Sequence, residues 1–362
     1  MHLIQPRPFN VRQTLIPGTV ILLLIFGVLT RDPAGPDYLH WRGYTMGTHY
    51  DVQIAASTLS QAGARELERG IKDYLRQINQ QMSTYLTDSE ISRFNETSAT
   101  PPFPVSPSFR RVVERALHWG AASDGAFDPT LDPLIELWGF GRQEPLTDWP
   151  TEDDIRAALA RTGYDRLQIP DDAHIRKVDP QVRISLNAIA KGYAVDGVGT
   201  LIEQAGPTNW YVEIGGDLAV SGVNRTGDPW RIGVELPAAK AGRGEALYGI
   251  AHITEGSLAG SGVYRQWHTM ADGRRYSHII DPRTGYPTDH DLVAVHVWAP
   301  RCVDADAVAT ALIVMGRDEG LAWVETLAQV EALFFQQAEG GEFRSSASSG
   351  FSVRTGLEPL AK

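Results

Sequence analysis

Cysteine is nearly absent from this 362-residue chain, the single example being Cys302. One thiol permits no intramolecular disulfide and no CxxC redox or zinc motif. Any metal must therefore be held by oxygen or imidazole ligands. Basic charge is also scarce: 33 Lys+Arg stand against 44 Asp+Glu, for a formal net charge of −11. A protein that tracks a nucleic-acid backbone needs a basic face to displace counterions, so this balance argues against nucleic acid as a partner. The sequence has no GxxxxGK[ST] loop, no GxGxxG opening a helix after a strand, no HExxH and no GxSxG elbow. Several familiar nucleotide and hydrolase chemistries are thereby removed. Apolar content is ordinary, at 43% hydrophobic and 21% charged residues, which excludes wholesale disorder.

Long apolar runs are limited to the N-terminus. Arg7 and Arg12 precede an uncharged stretch from Gln13 to Thr30 whose apolar heart is Val20–Leu29, followed by a Pro/Gly-rich linker. This is the build of a bacterial export signal. The run falls a little under the roughly 20 apolar residues that span a bilayer comfortably. It has no convincing small-residue cleavage site, and no cysteine follows it to take a lipid. An uncleaved anchor in the inner membrane is therefore expected rather than a cleaved signal or a lipoprotein, with the rest of the chain on the periplasmic side. The positive residues on the short N-terminal flank agree with that orientation. The resulting division is residues 1–36 as anchor and linker and 37–362 as one catalytic unit.

Beyond Tyr44 short strand-like and helix-like segments follow one another without internal repeats. His49–Ala55 alternates as a strand, and Leu67, Ile71, Leu75, Ile78 and Met82 mark one face of a helix over 61–82. Ser108 is a candidate cap for a second helix carrying Val112, Val113, Ala116 and Leu117. Asp124 to Pro150 reads as loop-dominated. Residues 208–222 read as two strands joined at Gly215–Gly216, and 292–299 as a buried strand. Val303–Met315 reads as a helix that Gly316 ends. Adjacent strands outnumber strict βαβ units, which predicts an α+β fold.

Four segments carry more small and polar residues than packing needs: Tyr44–His49, Ser123–Thr130, Ser185–Asp196, and the pair Tyr276–Gly285 with Asp304–Thr310. On a helix Asp306 and Thr310 stack one turn apart. That pair offers two hard oxygen ligands suited to Mg²⁺, or else a solvated carboxylate above a threonine that bonds back to its own helix. Asp304, near the helix start, reads as a cap or dipole partner. His278 has the chemistry of a general base, although a histidine at a strand end also serves structural roles. Lys191 could meet a phosphate as a point charge or lie on a solvated helix face.

In this order the segments resemble the ApbE family of flavin transferases. The resemblance runs from about Tyr44 to Gly316 through TMGTHYDV (45–52), MSTYLTDSEISRFN (82–95), GAFDPT (125–130), SLNAIAKGYAVD (185–196) and YVEIGGDLAVSG (211–222). It continues through SGVYRQW (261–267), YSHIIDPRTGYP (276–287) and DADAVATALIVMG (304–316). It implies an α+β, two-lobed fold with antiparallel or mixed sheets flanked by helices and an FAD site between the lobes. It also implies transfer of the FMN moiety of FAD to a Ser/Thr hydroxyl of an acceptor flavoprotein, through a phosphoester, with release of AMP and a requirement for Mg²⁺. Residue by residue, His278 would be the base. Met46, Tyr85, Ala126, Phe127, Asp128, Lys191 and Ile280 would line the FAD site. The Ala188 carbonyl, Asp306 and Thr310 would hold Mg²⁺. The same site could instead split FAD into FMN and AMP with water, or the protein could bind flavin at the membrane without catalysis. Three positions depart from the family pattern: Ser185 replaces a frequent aspartate, Ala309 stands where some relatives carry a second acid, and the lipid-bearing cysteine is missing.

Overall fold

A computed structural model describes residues 37–360, apart from 99, 142–147, 238–246, 264–266, 271–272 and 339. The expected N-terminal anchor and part of the SGVYRQW segment lie outside the described residues. Among the described residues no helix is long and apolar enough to cross a membrane.

In chain order, the hairpin β1 (Leu39–Thr45)/β2 (Thr48–Ile54) leads into α1 (Gln61–Met82), α2 (Glu90–Glu96), β3 (Phe103–Pro104) and α3 (Pro107–Ala122). Next come α4 (Asp132–Leu137), α5 (Glu152–Leu159), β4 (Leu167–Asp171), β5 (His174–Lys177) and α6 (Ala190–Gln204). The hairpin β6 (Trp210–Ile214)/β7 (Asp217–Ser221) is followed by β8 (Trp230–Glu235), β9 (Leu247–Ile253), β10 (Glu255–Gly262), β11 (Trp267–Thr269), β12 (Arg275–Ser277) and β13 (Leu292–Ala299). The chain closes with α7 (Cys302–Val324), β14 (Glu331–Gln337), β15 (Phe343–Ala347), α8 (Phe351–Thr355) and β16 (Glu358–Pro359).

Eight of these strands form one sheet in the order β1-β2-β6-β7-β10-β13-β14-β15, with each neighbouring pair antiparallel. Successive side chains of a strand point to opposite faces, and both faces of this sheet are covered. On β13, Val295, Val297 and Ala299 join the core beneath α1, α3, α6 and α7. Ala294 and Trp298 instead pack toward the small sheet β16-β9-β8 and Phe351 of α8. Two-sided burial explains why Leu292–Ala299 is apolar at every position but His296 rather than alternating. A smaller lobe has its own cluster, in which Leu134, Trp138 and Ile155 from α4, its end and α5 meet Met270, Tyr276 and Ile280. The α+β, two-lobed, antiparallel expectation is met.

Helix α1 forms where its spacing places it, burying Leu67, Ile71, Leu75, Ile78 and Met82, with the Ser60 hydroxyl accepting from the Gly63 N–H. One local expectation needs correction. The cap of α3 is Ser106 rather than Ser108: Pro107 occupies the first helical position, and the Ser106 hydroxyl accepts from the Phe109 N–H. The loop-dominated stretch 124–150 holds one short helix among its described residues, α4, with Pro133 in its first turn. Gly316 ends the first helical stretch of α7 as expected, at φ 79° and ψ −179°, and a second stretch follows it to Val324. A left-handed break of this kind is open mainly to glycine.

Candidate active site

Antiparallel pairing gathers several turns at one end of the large sheet. The β1–β2 pairing makes Met46–Gly47 a two-residue turn with φ of 49° and 74°, the mirror-image type that suits a hairpin. The Gly215–Gly216 turn lies beside it, with the Gly215 N–H donating to the His49 carbonyl at 3.0 Å. Asp217 follows directly. The last residues of β10, Gly260 to Gly262, run past the same end.

The first turn of α6 sends Lys191 into this region. Its Nζ donates to Asp217 Oδ2 at 2.5 Å and to Asp306 Oδ1 at 3.3 Å. Backbone amides hold the remaining oxygens: the Gly260 N–H reaches Asp217 Oδ1 at 3.3 Å and the Gly192 N–H reaches Asp306 Oδ2 at 3.0 Å. Both carboxylates are buried. Burial works to lower the Lys191 ammonium, but Asp217 and Asp306 outweigh it and hold the group above the ordinary lysine range. Burial, and then the Asp217 carboxylate, raise Asp306, while Lys191 and the Gly192 N–H restrain the rise. Lys191 is thus not a solvated helix lysine; in this structure it is the shared counter-ion of two buried acids.

Thr310 lies one turn beyond Asp306. Its hydroxyl points back to the Asp306 carbonyl at 3.4 Å and stands 3.5 Å from the Ser261 hydroxyl on β10. Among the described residues no group of three or more His, Cys, Asp and Glu side chains gathers as a metal cluster. The donor set here is of another kind, made of carboxylate and hydroxyl oxygens; Ala188 lies in the turn just before α6. Two buried carboxylates against one ammonium leave negative charge uncompensated. Hard oxygens with excess negative charge suit a small divalent cation.

Asp304 does not cap α7 but lies in its first turn, where a carboxylate partners the helix dipole. Its carboxylate takes the Arg115 guanidinium and the Trp119 indole N–H, the latter at 3.0 Å. The cap is Asp196 of α6, whose oxygens accept from the Cys302 and Val303 N–H groups at 2.8 and 3.1 Å. Burial pushes Asp196 up to about 6, against those amide bonds. Cys302, the first residue of α7, is buried.

The Ser123–Thr130 turn presents the next group. Asp124 and Gly125 have positive φ, and the Ser123 hydroxyl accepts from the Phe127 N–H at 2.9 Å. Ala126 and Phe127 are buried. Asp128 Oδ1 accepts from the N–H and hydroxyl of Thr130 at 2.7 and 2.6 Å, and burial pushes its carboxyl up to about 6. A bond from the Ser185 N–H to the Pro129 carbonyl, 2.8 Å, ties this turn to the segment that leads through Ala188 to Lys191.

His278 and Ile280 sit on the smaller lobe. The His278 ring is half-buried, with its centroid 6.2 Å from that of Phe140. Ile280 is buried and bridges to Pro287. Tyr85, between α1 and α2, is 63% exposed. The structure therefore joins Lys191, Asp306 and Thr310 directly, links Ala126–Asp128 to them through Ser185, and places Met46 at the same sheet end. It presents His278 and Ile280 from the second lobe. Sequence reasoning assigned no role to Asp217 or Ser261, although both lie in the segments YVEIGGD and SGVYRQW. The signal was there in a lone acid directly after a Gly-Gly turn.

Known proteins resemble this chain over most of its length. The model of the ApbE family matches residues 46–334. The chain is 38% identical over 330 residues to a FAD:protein FMN transferase of Vibrio cholerae serotype O1, covering 91% of this chain and 95% of that one. It is 35% identical over 312 residues to a FAD:protein FMN transferase of Escherichia coli K12, covering 85% and 87% respectively. Among solved structures, flavin transferase ApbE from Vibrio cholerae aligns with a TM-score of 0.78 at 37% identity, over 88% of this chain and 99% of that one. The ApbE protein from Thermotoga maritima aligns with a TM-score of 0.76 at 29% identity, over 88% and 99%.

Proposed function

This chain belongs to the ApbE family, and from that premise we propose that it transfers the FMN moiety of FAD to a Ser or Thr hydroxyl of an acceptor flavoprotein. In the step envisaged, the acceptor oxygen bonds to the FMN phosphorus, the pyrophosphate bond breaks, and AMP leaves. Such a transfer asks the protein for positioning and charge neutralisation more than for covalent chemistry. The observation that carries the reading is the buried Lys191–Asp217–Asp306 cluster beside the Thr310 and Ser261 hydroxyls. Asp306, Thr310 and the Ala188 carbonyl would hold Mg²⁺, which when bound supplies positive charge for the pyrophosphate oxygens.

His278 takes the proton of the incoming hydroxyl. Its position on the second lobe suits a base that approaches from the acceptor side, while the flavin lies between the lobes against Met46, Tyr85, Ala126, Phe127, Asp128, Lys191 and Ile280. Residues 37–362 act as one catalytic unit. The segment Gln13–Thr30 holds that unit at the periplasmic face of the inner membrane, where an exported redox subunit would be the acceptor.

The test is to incubate the full chain with FAD, Mg²⁺ and an exported flavoprotein subunit, then look for flavin fluorescence that survives denaturation. His278→Ala should lower the rate by about 10²- to 10⁴-fold, the usual contribution of a positioned base. Absence of covalent flavin, or full activity in the variant, would overturn the mechanism. AMP release without any acceptor would favour FAD hydrolysis instead.

A further inference from the structure

Lys191 is held unequally by its two carboxylates. Nζ lies 2.5 Å from Asp217 Oδ2 but 3.3 and 3.5 Å from the two oxygens of Asp306. Asp217 is itself fixed, as the first residue of β7, buried, and bonded through Oδ1 to the Gly260 N–H. None of the roles assigned above uses it. An ammonium seated squarely on Asp306 would occupy the oxygens that a divalent ion needs. Drawn instead toward β7, it engages Asp306 only loosely.

From this inequality we propose that Asp217 is a positioning residue: it retains the Lys191 ammonium so that the Asp306 carboxylate can be given over to a divalent cation. The inference rests on the cation site at Asp306 proposed above. Charge arithmetic supports it. Two carboxylates and one ammonium sum to −1, a buried excess that a cation relieves. Without Asp217, Lys191 and Asp306 would form a neutral pair, and a cation would have to break or share it. Position 309 supports the same view from the other side. Ala309 is fully buried among apolar side chains of α7 and its neighbours, so the second carboxylate of this site comes from β7 and not from the helix that bears Asp306.

Mn²⁺ titration of the full chain without FAD, with free Mn²⁺ read by electron paramagnetic resonance, tests this directly. Asp217→Asn should weaken Mn²⁺ binding by about 10- to 100-fold, as loss of a residue that orients a ligand does. Lys191→Met should bind Mn²⁺ at least as tightly as the wild type, and the double variant should recover most of the loss. Undiminished binding in Lys191→Met beside the loss in Asp217→Asn separates the proposal from simple misfolding, which would weaken both. Wild-type affinity in Asp217→Asn overturns the proposal, and so does weakened binding in Lys191→Met. A double variant as weak as Asp217→Asn also overturns it, by making Asp217 a direct ligand. Wild-type Mn²⁺ binding in Asp306→Asn would instead overturn the cation site itself.

Discussion

A Cβ added to Gly192 would lie 2.3 Å from the Cys302 carbonyl oxygen and 2.8 Å from the Val303 Cα. Helices α6 and α7 therefore cross with backbone touching backbone, and the crossing sets Lys191 beside Asp306. The neighbours are main-chain atoms, so neither can rotate away to admit a methyl group. Gly192→Ala should cost about 1–3 kcal/mol, the usual range for overpacking, read as a shift of the urea midpoint. Flavin transfer should fall further than stability alone implies, by about 10²-fold, because displacement of reacting groups by about 1 Å is that costly. An alanine variant with wild-type stability would mean that the helices separate freely here.

The smaller lobe offers a local test. Trp138 is fully buried; its indole N–H donates to the Gly285 carbonyl at 2.8 Å, and its own carbonyl accepts from the Tyr276 hydroxyl at 3.2 Å. These bonds fasten the turn after His278 to the end of α4. Trp138→Phe removes the indole donor, at about 1–3 kcal/mol for a lost buried hydrogen bond. Hydrogen exchange should accelerate across residues 279–288 while the α7 amides stay protected. Uniform acceleration across both regions would show that the lobe does not open independently.

Ser106 and Ser108 show what could be read ahead of the structure. The apolar face of α3 at Val112, Val113 and Ala116 is periodic and was legible. The cap was not, because two serines flank Pro107 and only the three-dimensional setting chooses between them. Ser106 is chosen because Glu90 of α2 accepts from its N–H at 2.5 Å and from its hydroxyl at 2.7 Å. Long-range selection of the same kind hid Asp196 as the cap of α7 and Asp217 as the anchor of Lys191, since each acts on an element far away in sequence. Local signals such as the Gly215–Gly216 turn and the buried β13 run needed no such information. Ser106→Ala should lower stability by about 0.5–2 kcal/mol and Ser108→Ala by far less, in parallel denaturation curves. Equal losses would return the cap to Ser108.

Glu213 gives a pH signature with a defined sign. It sits opposite Asp51 across the β2–β6 pairing, and its Oε1 accepts from the Gly216 N–H. Burial pushes its carboxyl up to about 8, and the Asp51 and Asp217 carboxylates add to that rise against the Gly216 N–H and Arg42. An unfolded glutamate titrates near about 4.3. The folded chain therefore keeps a proton that the unfolded chain releases between those two values. The unfolded state binds fewer protons across that window, so stability falls as pH rises, by at most about 1.4 kcal/mol per pH unit from this group. Glu213→Gln preserves an acceptor for the Gly216 N–H but has no proton to lose. Urea denaturation at pH 5, 7 and 8.5 should show the two proteins nearly matched at pH 5 and the glutamine variant gaining steadily above it. A constant deficit of the variant at all three pH values would mean that Glu213 is ionised in the fold and that the turn before Asp217 depends on its charge.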